Sequence, residues 1–448
     1  MKTSLGWKLG SIGLLSLLLL LGLYWIGFIV VERQVRRDDV VRDIAASSSL
    51  AQRVEGPILV VPYEKTVREW KEDTVTGNRH AEDRQVSGQL LLLPELFRVD
   101  GSIPTELRAR GIYEARLYHA NLHIQASFQI PPHYGVGADA AAYSFGQPSI
   151  AVGVTDIRGI ENASRMAMNG ASLKLLPGST SPLMGPGIHA PIPPADSDQL
   201  VPLEFAIDLS IEGTSDFELL PVGRESQISL SSNWRSPGFN GHYLPVKHKI
   251  GAAGFDAQWS MSFFSTNLAE VLRTCNGGAG TCDEFATRTL GVSFVDPVDQ
   301  YLKTDRAIKY GFLFISLTFA GFFLFEVLGK LAVHPVQYSL VGSALALFYL
   351  LLLSLAEHLG FALAYALSSA ACVALIGFYV SGILHSMKRG IGFAAGLVLL
   401  YGMLYALLIA EDYALLMGSV LLFAVLAAVM VLTRQVDWFS LGRREEAR

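Results

Sequence analysis

The chain has 448 residues, a formal net charge of −5 and 17% charged residues, and its mean hydropathy is +0.37. At roughly 100–200 residues per domain, this length allows more than one domain. The negative net charge and the lack of a basic stripe in the sequence argue against nucleic acid as a partner. The positive mean hydropathy indicates membrane segments alongside a polar region.

Apolar runs long enough to span a bilayer occur near the N-terminus and again after residue 309. A hydrocarbon core of about 30 Å requires about 20 apolar residues in a helix. The runs are residues 10–31, 310–328, 340–355, 361–384, 391–410 and 414–433. The first run exceeds the apolar core of about 7–15 residues in a signal peptide, and a charged stretch follows it instead of a cleavage site. The sequence therefore predicts an uncleaved anchor and six transmembrane helices in all.

Lysine and arginine in the short loops predict the orientation, because cytoplasmic loops are enriched in them. With six helices, one side of the membrane holds nine: Lys2, Lys8, Lys330, Lys388, Arg389, Arg434, Arg443, Arg444 and Arg448. The short turns at 357–360 and 411–413, on the other side, hold none. Four arginines after the first helix oppose this orientation but are outnumbered: Arg33, Arg36, Arg37 and Arg42. We therefore expect cytoplasmic termini and an extracytoplasmic segment 32–306.

Two cysteines of this outer segment, Cys275 and Cys282, are separated by a Gly-rich loop. In an oxidising compartment two nearby cysteines tend to be bridged, and the intervening glycines allow the chain to turn back. We expect a disulfide bond between them. Two free thiols or a redox pair are the alternatives, although a redox pair usually has the tighter Cys-x-x-Cys spacing.

The outer segment is predicted to be rich in β-strands. A helix leaving the membrane is expected to end at Gly56-Pro57. Strands are predicted at residues 58–63, 116–128, 149–154, 173–176, 203–212, 227–232 and 255–264. Asp100-Gly101, Pro177-Gly178 and Asn240-Gly241 are expected turns, short helices are expected near 157–166 and 268–274, and the segment 182–198 is expected to be a loop. Many short strands with frequent turns favour a sandwich or a jelly-roll-like sheet.

Motifs that carry catalytic or metal chemistry are missing from the sequence. There is no hydrolase elbow, phosphate loop, dinucleotide fingerprint or zinc helix. His119 and His123 share one face of a strand, but without a third ligand we interpret them as ordinary strand residues. Glu326 is the only acid well inside an apolar run, and a surface ion pair with Lys330 is the favoured interpretation. The alternative is a buried partner for a neighbouring helix.

Small residues recur at helical spacing in two of the apolar runs. Ala362, Ala366, Ala370 and Ala374 form a stripe, and Gly392 with Gly396 forms a Gly-x-x-x-Gly pair. Small residues allow helices to approach closely. We expect these positions to pack a compact bundle of the last five helices, and dimerisation through either face is the other option.

Several distinctive stretches are distributed along the whole chain: residues 32–33, 56–63, 234–239, 244–245, 296–310, 323–326, 334–338, 354–358, 413–418 and 434–438. They resemble the CreD family of inner-membrane proteins of Gram-negative bacteria. The resemblance implies a role in cell envelope integrity, a link to a two-component regulatory system and altered tolerance to colicins. It supplies no reaction, substrate or catalytic residues.

The densest part of this resemblance lies where the outer domain meets the helices. We hypothesise that Asp296, Asp299 and Tyr301 dock the domain onto the helix ends, with Arg306 as a candidate partner. An ordinary turn before the helix is the alternative.

The predicted architecture is a membrane α-helical bundle plus a large extracytoplasmic β-rich domain. Its parts are an anchor (1–31), a periplasmic domain (32–306), a five-helix bundle (307–433) and a cytoplasmic tail (434–448). The first functional hypothesis is a non-enzymatic protein that supports the envelope through its periplasmic domain. The second is a lipid or amphiphile handler with an apolar groove. Besides the lipid bilayer, envelope proteins or lipids are candidate partners. No cofactor is predicted, and the sequence does not determine the oligomeric state.

Overall fold

A computed structural model gives the fold and describes residues 5–72, 79–195, 197–276, 285, 287–295, 300–329, 333–409 and 414–434. The chain divides into two compact units. The helical unit contains Met1–Asp39 and Val298–Arg448, and the β domain contains Val40–Pro297. The first helix therefore belongs partly to each unit.

In the described residues, one long helix is followed by three short helices and then by five long apolar ones. The helices are α1 (Leu5–Ser47), α2 (Phe263–Thr266), α3 (Leu268–Asn276), α4 (Gln300–Lys309), α5 (Gly311–Gly329), α6 (Pro335–Leu359), α7 (Phe361–Ile383), α8 (Met387–Ile409) and α9 (Ala414–Thr433).

The strands of the β domain form two nine-stranded sheets. They are β1 (Gln52–Glu72), β2 (Arg79–Leu92), β3 (Leu96–Ser102), β4 (Thr105–Arg110), β5 (Tyr113–Ile130), β6 (Tyr143–Phe145), β7 (Ser149–Val154), β8 (Arg165–Met168), β9 (Ala171–Leu173), β10 (Leu176–Pro177), β11 (Gly187–Pro191), β12 (Val201–Thr214), β13 (Asp216–Leu220), β14 (Glu225–Ser232), β15 (Gly238–Gly241), β16 (Lys247–Gly251), β17 (Gly254–Ser262) and β18 (Leu290–Ser293). Sheet A runs β10-β11-β7-β1-β13-β18-β15, with β2 and β6 also paired to β1. Sheet B runs β16-β17-β14-β3-β5-β12-β8-β9, with β4 also paired to β5.

One hydrophobic core joins the two sheets. Strands such as β17 alternate buried and exposed residues, as expected for a sheet with one face in the core and one in solvent. β7 is buried at all six positions, in the middle of sheet A. Val60 from sheet A and Ile124 from sheet B are both fully buried in the same core. This arrangement confirms the predicted β-rich domain.

The helical unit contains the segments that can cross a membrane. Within the described residues, four helices are long and apolar enough for a span: the part of α1 from Gly10, together with α6, α7 and α8. The pair α4 and α5, bent by 46°, provides a fifth span if it is counted as one. The apolar stretch Leu416–Val431 of α9 is shorter. Leu23 of α1 lies in the same core as α5 to α8, so the first helix packs with the others.

Several local predictions for the outer segment are wrong. α1 ends at Ser47, and Gly56-Pro57 lies inside β1, where the pairing with β7 shifts register. Asp100-Gly101 lies inside β3 instead of a turn. The expected loop 182–198 contributes β11, which pairs with β7. A short 3₁₀ turn and β8 replace the helix expected near 157–166, whereas α3 confirms the one expected near 268–274.

Cys282 and the side chain of Cys275 lie outside the described residues. Their disulfide bond stays a prediction.

Candidate functional site

The C-terminal end of α1 is fixed to the β domain by a buried polar network around Gln52. Gln52 is 1% exposed, and its Nε2 atom donates to Ser49 Oγ at 2.6 Å and to the carbonyls of Asp156 at 2.9 Å and Glu212 at 3.1 Å. Its Oε1 atom accepts from the Asp156 backbone N–H at 3.1 Å. Thr214 Oγ1 donates to the Ser49 carbonyl at 2.7 Å. One amide side chain therefore satisfies backbone groups from two distant segments, at Asp156 and Glu212.

Asp156 extends this Gln52 network towards the helix. Its carboxylate accepts from the Leu50 backbone N–H at 3.3 Å, and Arg158 Nη2 donates to Oδ2 at 2.6 Å. The hydrogen bond from Arg158 holds the pKa of Asp156 below its ordinary value, against the opposing effect of burial. Arg158 Nη1 also donates to the Ala46 carbonyl at 2.7 Å. This carbonyl lies in the last turn of α1, where carbonyl groups have no N–H partner within the helix. The network therefore caps α1 and holds it in place.

A second cluster lies at one end of the helical unit and contains Tyr301, which the sequence predicted as a docking residue. Tyr301 is 1% exposed, and its hydroxyl donates to Glu357 Oε1 at 3.2 Å. Arg33 Nε lies 3.9 Å from the same carboxylate oxygen, and the Arg37 guanidinium lies 5.7 Å from the Tyr301 ring centroid. This Tyr301–Glu357 cluster joins α1, α4 and the end of α6.

The other members of the predicted docking group have different positions. Asp296 and Asp299 lie outside the described residues, so their docking role stays a prediction. Arg306 is half-buried on α4, and its proposed pairing with those aspartates likewise stays a prediction. The partner of Tyr301 is Glu357, which lies 56 residues further along the chain and which spacing alone did not suggest.

Glu326 is buried and does not lie at the surface as the sequence favoured, whereas its ion pair with Lys330 stays a prediction. It is 4% exposed, and its carboxylate accepts from Tyr338 Oη at 2.9 Å and from the Val333 backbone N–H at 3.0 Å. Tyr338, near the start of α6, packs against Phe319 and Phe322 of α5. The alternative interpretation, a buried partner for a neighbouring helix, is therefore confirmed. Lys330 lies outside the described residues.

The predicted small-residue positions face outwards in this chain. Ala362, Ala366, Ala370 and Ala374 are exposed, as are Gly392 and Gly396, and a Cβ atom added at either glycine would meet nothing within 4 Å. Their role in helix packing stays a prediction for contacts beyond this chain. Close approach within the unit occurs instead at Gly342, where an added Cβ would clash with Leu19 and Phe319. Spacing did not single out Gly342, because small residues at helical spacing occur in several of the apolar runs.

The β domain has a closed core with an open apolar groove at its edge. The groove has a volume of about 620 Å³. Its apolar walls come from the end of β2, from α3 and from the β13–β14 connection, and they include Leu91, Leu92, Val222, Leu268 and Leu272. This groove fits the predicted amphiphile site.

Glu55 is a buried carboxylate in β1 of the same domain. It is 9% exposed, and Arg53 Nη1 lies 3.9 Å from its Oε1. Burial raises the pKa of Glu55 to about 7, although Arg53 opposes the rise and the nearby Glu218 adds to it. Arg53 donates its shorter hydrogen bond, at 2.8 Å, to Glu218. Glu55 therefore changes charge near neutral pH.

The two histidines of β5 each contact a carboxylate. His119 Nδ1 lies 2.9 Å from Glu161 Oε1, and His123 Nδ1 lies 2.7 Å from Asp208 Oδ1. Both lie at outward-facing positions of β5, and their interpretation as ordinary strand residues stays a prediction.

Comparison with known proteins gives one consistent result over both units. The family model described as "Inner membrane protein CreD" matches residues 4–439. The inner membrane protein CreD of Escherichia coli strain K12 is 36% identical over 441 residues, which cover 98% of this chain and 95% of that protein. Because both matches run through the helical unit and the β domain alike, the chain belongs to the CreD family of inner membrane proteins.

Proposed function

We propose that the chain crosses the inner membrane six times and holds its β domain in the periplasm, where the domain supports cell envelope integrity by binding and without catalysis. In this proposal the four long spans are joined by the bent pair α4–α5, counted as one crossing, and by the shorter apolar stretch of α9, counted as another. An even number of crossings keeps both termini on one side of the membrane.

The observation that carries this proposal is the distribution of basic residues. Nine Lys and Arg residues lie on the side of the termini, and the two short turns opposite hold none. Arg33 and Arg37, two of the opposing arginines, contact Glu357 and Tyr301 respectively. Their position therefore has a structural reason that does not depend on orientation.

A binding role agrees with how the β domain is built. Its two sheets share one closed core, and the Gln52 network fixes the end of α1 to the domain. A domain with one closed core presents a constant surface to a partner. This favours a scaffold or receptor role for the envelope over one that depends on large internal movement.

The experiment is complementation in a strain that lacks its own copy of the gene. Loss of the gene is expected to increase leakage of a periplasmic enzyme and sensitivity to detergent, and the full chain is expected to restore both. Gln52→Leu leaves the carbonyls of Asp156 and Glu212 without this donor, and each buried unsatisfied group costs about 1–3 kcal/mol. That variant is expected to restore less at equal membrane levels, whereas Gln85→Leu, at an exposed position of β2, restores fully. An unchanged envelope after loss of the gene would contradict the proposal.

The apolar groove favours a second candidate function, the binding of a lipid or another amphiphile. Because the core between the sheets is closed, the groove beside α3 is the part of the domain that fits such a ligand. Mass spectrometry of the purified full chain is expected to find lipid retained by the wild type and lost from Leu272→Lys. Equal lipid in the wild type and in this variant would exclude the groove as the site.

A further inference from the structure

The outward face of sheet B carries two neighbouring rows of polar side chains across five adjacent strands, β12, β5, β3, β14 and β17. Strand register defines both rows. The first row is Asp208, His123, Asp100, Ser229 and Gln258; the second is Ser210, Asn121, Ser102, Ser231 and Asp256. Residues directly opposite each other on neighbouring strands lie about 5 Å apart, so the ten side chains form a continuous lattice. We call these ten residues the polar face.

The composition of the polar face is unusual for strands. An exposed sheet face is normally polar, but strands favour Thr, Val, Ile and aromatic residues and disfavour Asp, Asn and Gly. The polar face contains none of the favoured types, and Asp100-Gly101 reads in the sequence as a turn. Positions that break local rules inside a well-formed element are where function is expected.

Short side chains make the middle of the polar face concave. The floor consists of residues such as Ser210, Ser229 and Ser231, which are half-buried, and the resulting trough has a volume of about 510 Å³. Longer side chains stand at its ends, with Arg165 next to Asp208 and Lys249 next to Asp256 in register. A chain-like ligand can therefore lie close to the sheet.

The hydrogen-bonding groups of the trough are partly fixed and partly uncommitted. His123 is held by Asp208 at 2.7 Å, and Ser210 Oγ donates to Asn121 Oδ1 at 3.0 Å. In the part of the chain that the structure describes, five polar-face side chains have no protein hydrogen-bond partner: Asp100, Ser102, Ser229, Asp256 and Gln258. These five side chains can therefore hydrogen-bond to a ligand, while hydrogen bonds fix the positions of their neighbours.

We propose that the polar face binds a neutral glycan of N-acetylated amino sugars, the chemistry of the cell-wall glycan strand; this rests on the periplasmic placement proposed above. Hydroxyl and acetamido groups of such a glycan match the mixed donors and acceptors of the trough. Three carboxylates, Asp100 in the middle and Asp208 and Asp256 towards the two ends, disfavour a polyanion. A peptide strand would instead add to a sheet edge, while sheet faces of small β folds do bind oligosaccharides.

The test is co-sedimentation of the full chain, in lipid nanodiscs, with purified cell-wall sacculi. The wild type is expected to sediment and to be released by a tetrasaccharide of N-acetylglucosamine, whereas a sulfated polyanionic oligosaccharide of similar length releases it no better than salt. Ser102→Trp fills the trough and is expected to weaken binding at least tenfold, and Asp256→Ala several-fold. Glu204→Trp, at an exposed position of β12 outside the trough, is the matched control and retains binding.

Two results would overturn the glycan site. In the first, the wild type does not sediment or is not released by the tetrasaccharide. In the second, the Ser102→Trp and Asp256→Ala variants both bind as well as Glu204→Trp. Thermal unfolding of each variant shows whether it is folded. Because this assay uses purified protein, it is independent of membrane orientation, so its failure leaves the periplasmic placement standing. Labelling in cells tests that placement separately.

Discussion

At the scale of single residues, the polar side chains that join distant parts of the chain are buried. Gln52 meets Asp156 and Glu212, and Tyr301 meets Glu357. Burial sets the chemistry of such groups, because a charge removed from water must find a partner or change its pKa. Glu55 shows this effect within the β domain.

Replacing Glu55 with Gln is expected to stabilise the β domain above neutral pH. Burial raises the pKa of Glu55 from 4.5 to about 7 in the folded state, so the folded state keeps a proton that the unfolded chain has lost. The free energy of unfolding therefore falls as pH rises from about 4.5 to 7, by at most about 3 kcal/mol. Thermal unfolding at pH 5 and pH 8 should show a higher midpoint for Glu55→Gln at pH 8 and little difference at pH 5.

The control for this prediction is Glu225→Gln, at an exposed position of β14, which should behave like the wild type at both pH values. A Glu55→Gln variant that is less stable than the wild type at pH 8 would show that the ionised carboxylate stabilises the fold.

The hydroxyl of Tyr301 and the carboxylate of Glu357 are expected to be energetically coupled. Tyr301→Phe removes the donor and leaves a half-buried carboxylate with fewer partners, which should cost about 1–2 kcal/mol. In a double-mutant cycle with Glu357→Gln, measured by thermal unfolding in detergent, the two changes should cost less together than the sum of the singles. Strict additivity of the two changes would mean that this hydrogen bond contributes nothing to stability. Tyr310→Phe, outside the cluster, is the control.

At the scale of elements, the pattern of residue types within one segment predicted its secondary structure well. The contacts between segments could not be predicted in this way. β5, β12, β14 and β17 were predicted because buried and exposed residues alternate along each strand. β3 was missed because Asp100-Gly101 is typical of a turn, and its strand conformation depends on neighbours on both sides. Among the helices, spacing identified apolar runs but not which small residue contacts a neighbour.

Gly342 is expected to be intolerant of a larger side chain. Gly342→Val would press against Leu19 of α1 and Phe319 of α5, and overpacking of this kind typically costs about 1–3 kcal/mol. The helical unit should then unfold at a lower temperature, measured by the loss of monodisperse protein on heating in detergent. Gly392→Val is the matched control, since nothing lies within 4 Å of an added Cβ there. A larger loss for Gly392→Val than for Gly342→Val would reverse our assignment of the packing face.

At the scale of the whole molecule, composition and hydropathy were enough to separate an apolar helical part from a β-rich part. The sequence could not supply the Gln52 network or the contact between Tyr301 and Glu357, because both depend on contacts that only the folded chain creates. It offered the burial of Glu326 only as the less favoured of two interpretations. The polar face is a similar case, since its two rows combine residues between positions 100 and 258. Family membership agrees with a membrane location, whereas the orientation rests on the distribution of basic residues.

The orientation is the central claim, and labelling of intact cells with a membrane-impermeant maleimide tests it most directly. Single cysteines would replace the exposed residues Ser260, His358 and Lys388, in a chain whose own Cys275, Cys282 and Cys372 are replaced. The account predicts labelling at positions 260 and 358 in cells with a permeabilised outer membrane, and at 388 only after the inner membrane is opened as well. Labelling of position 388 alone before that step would place the β domain in the cytoplasm and contradict the account.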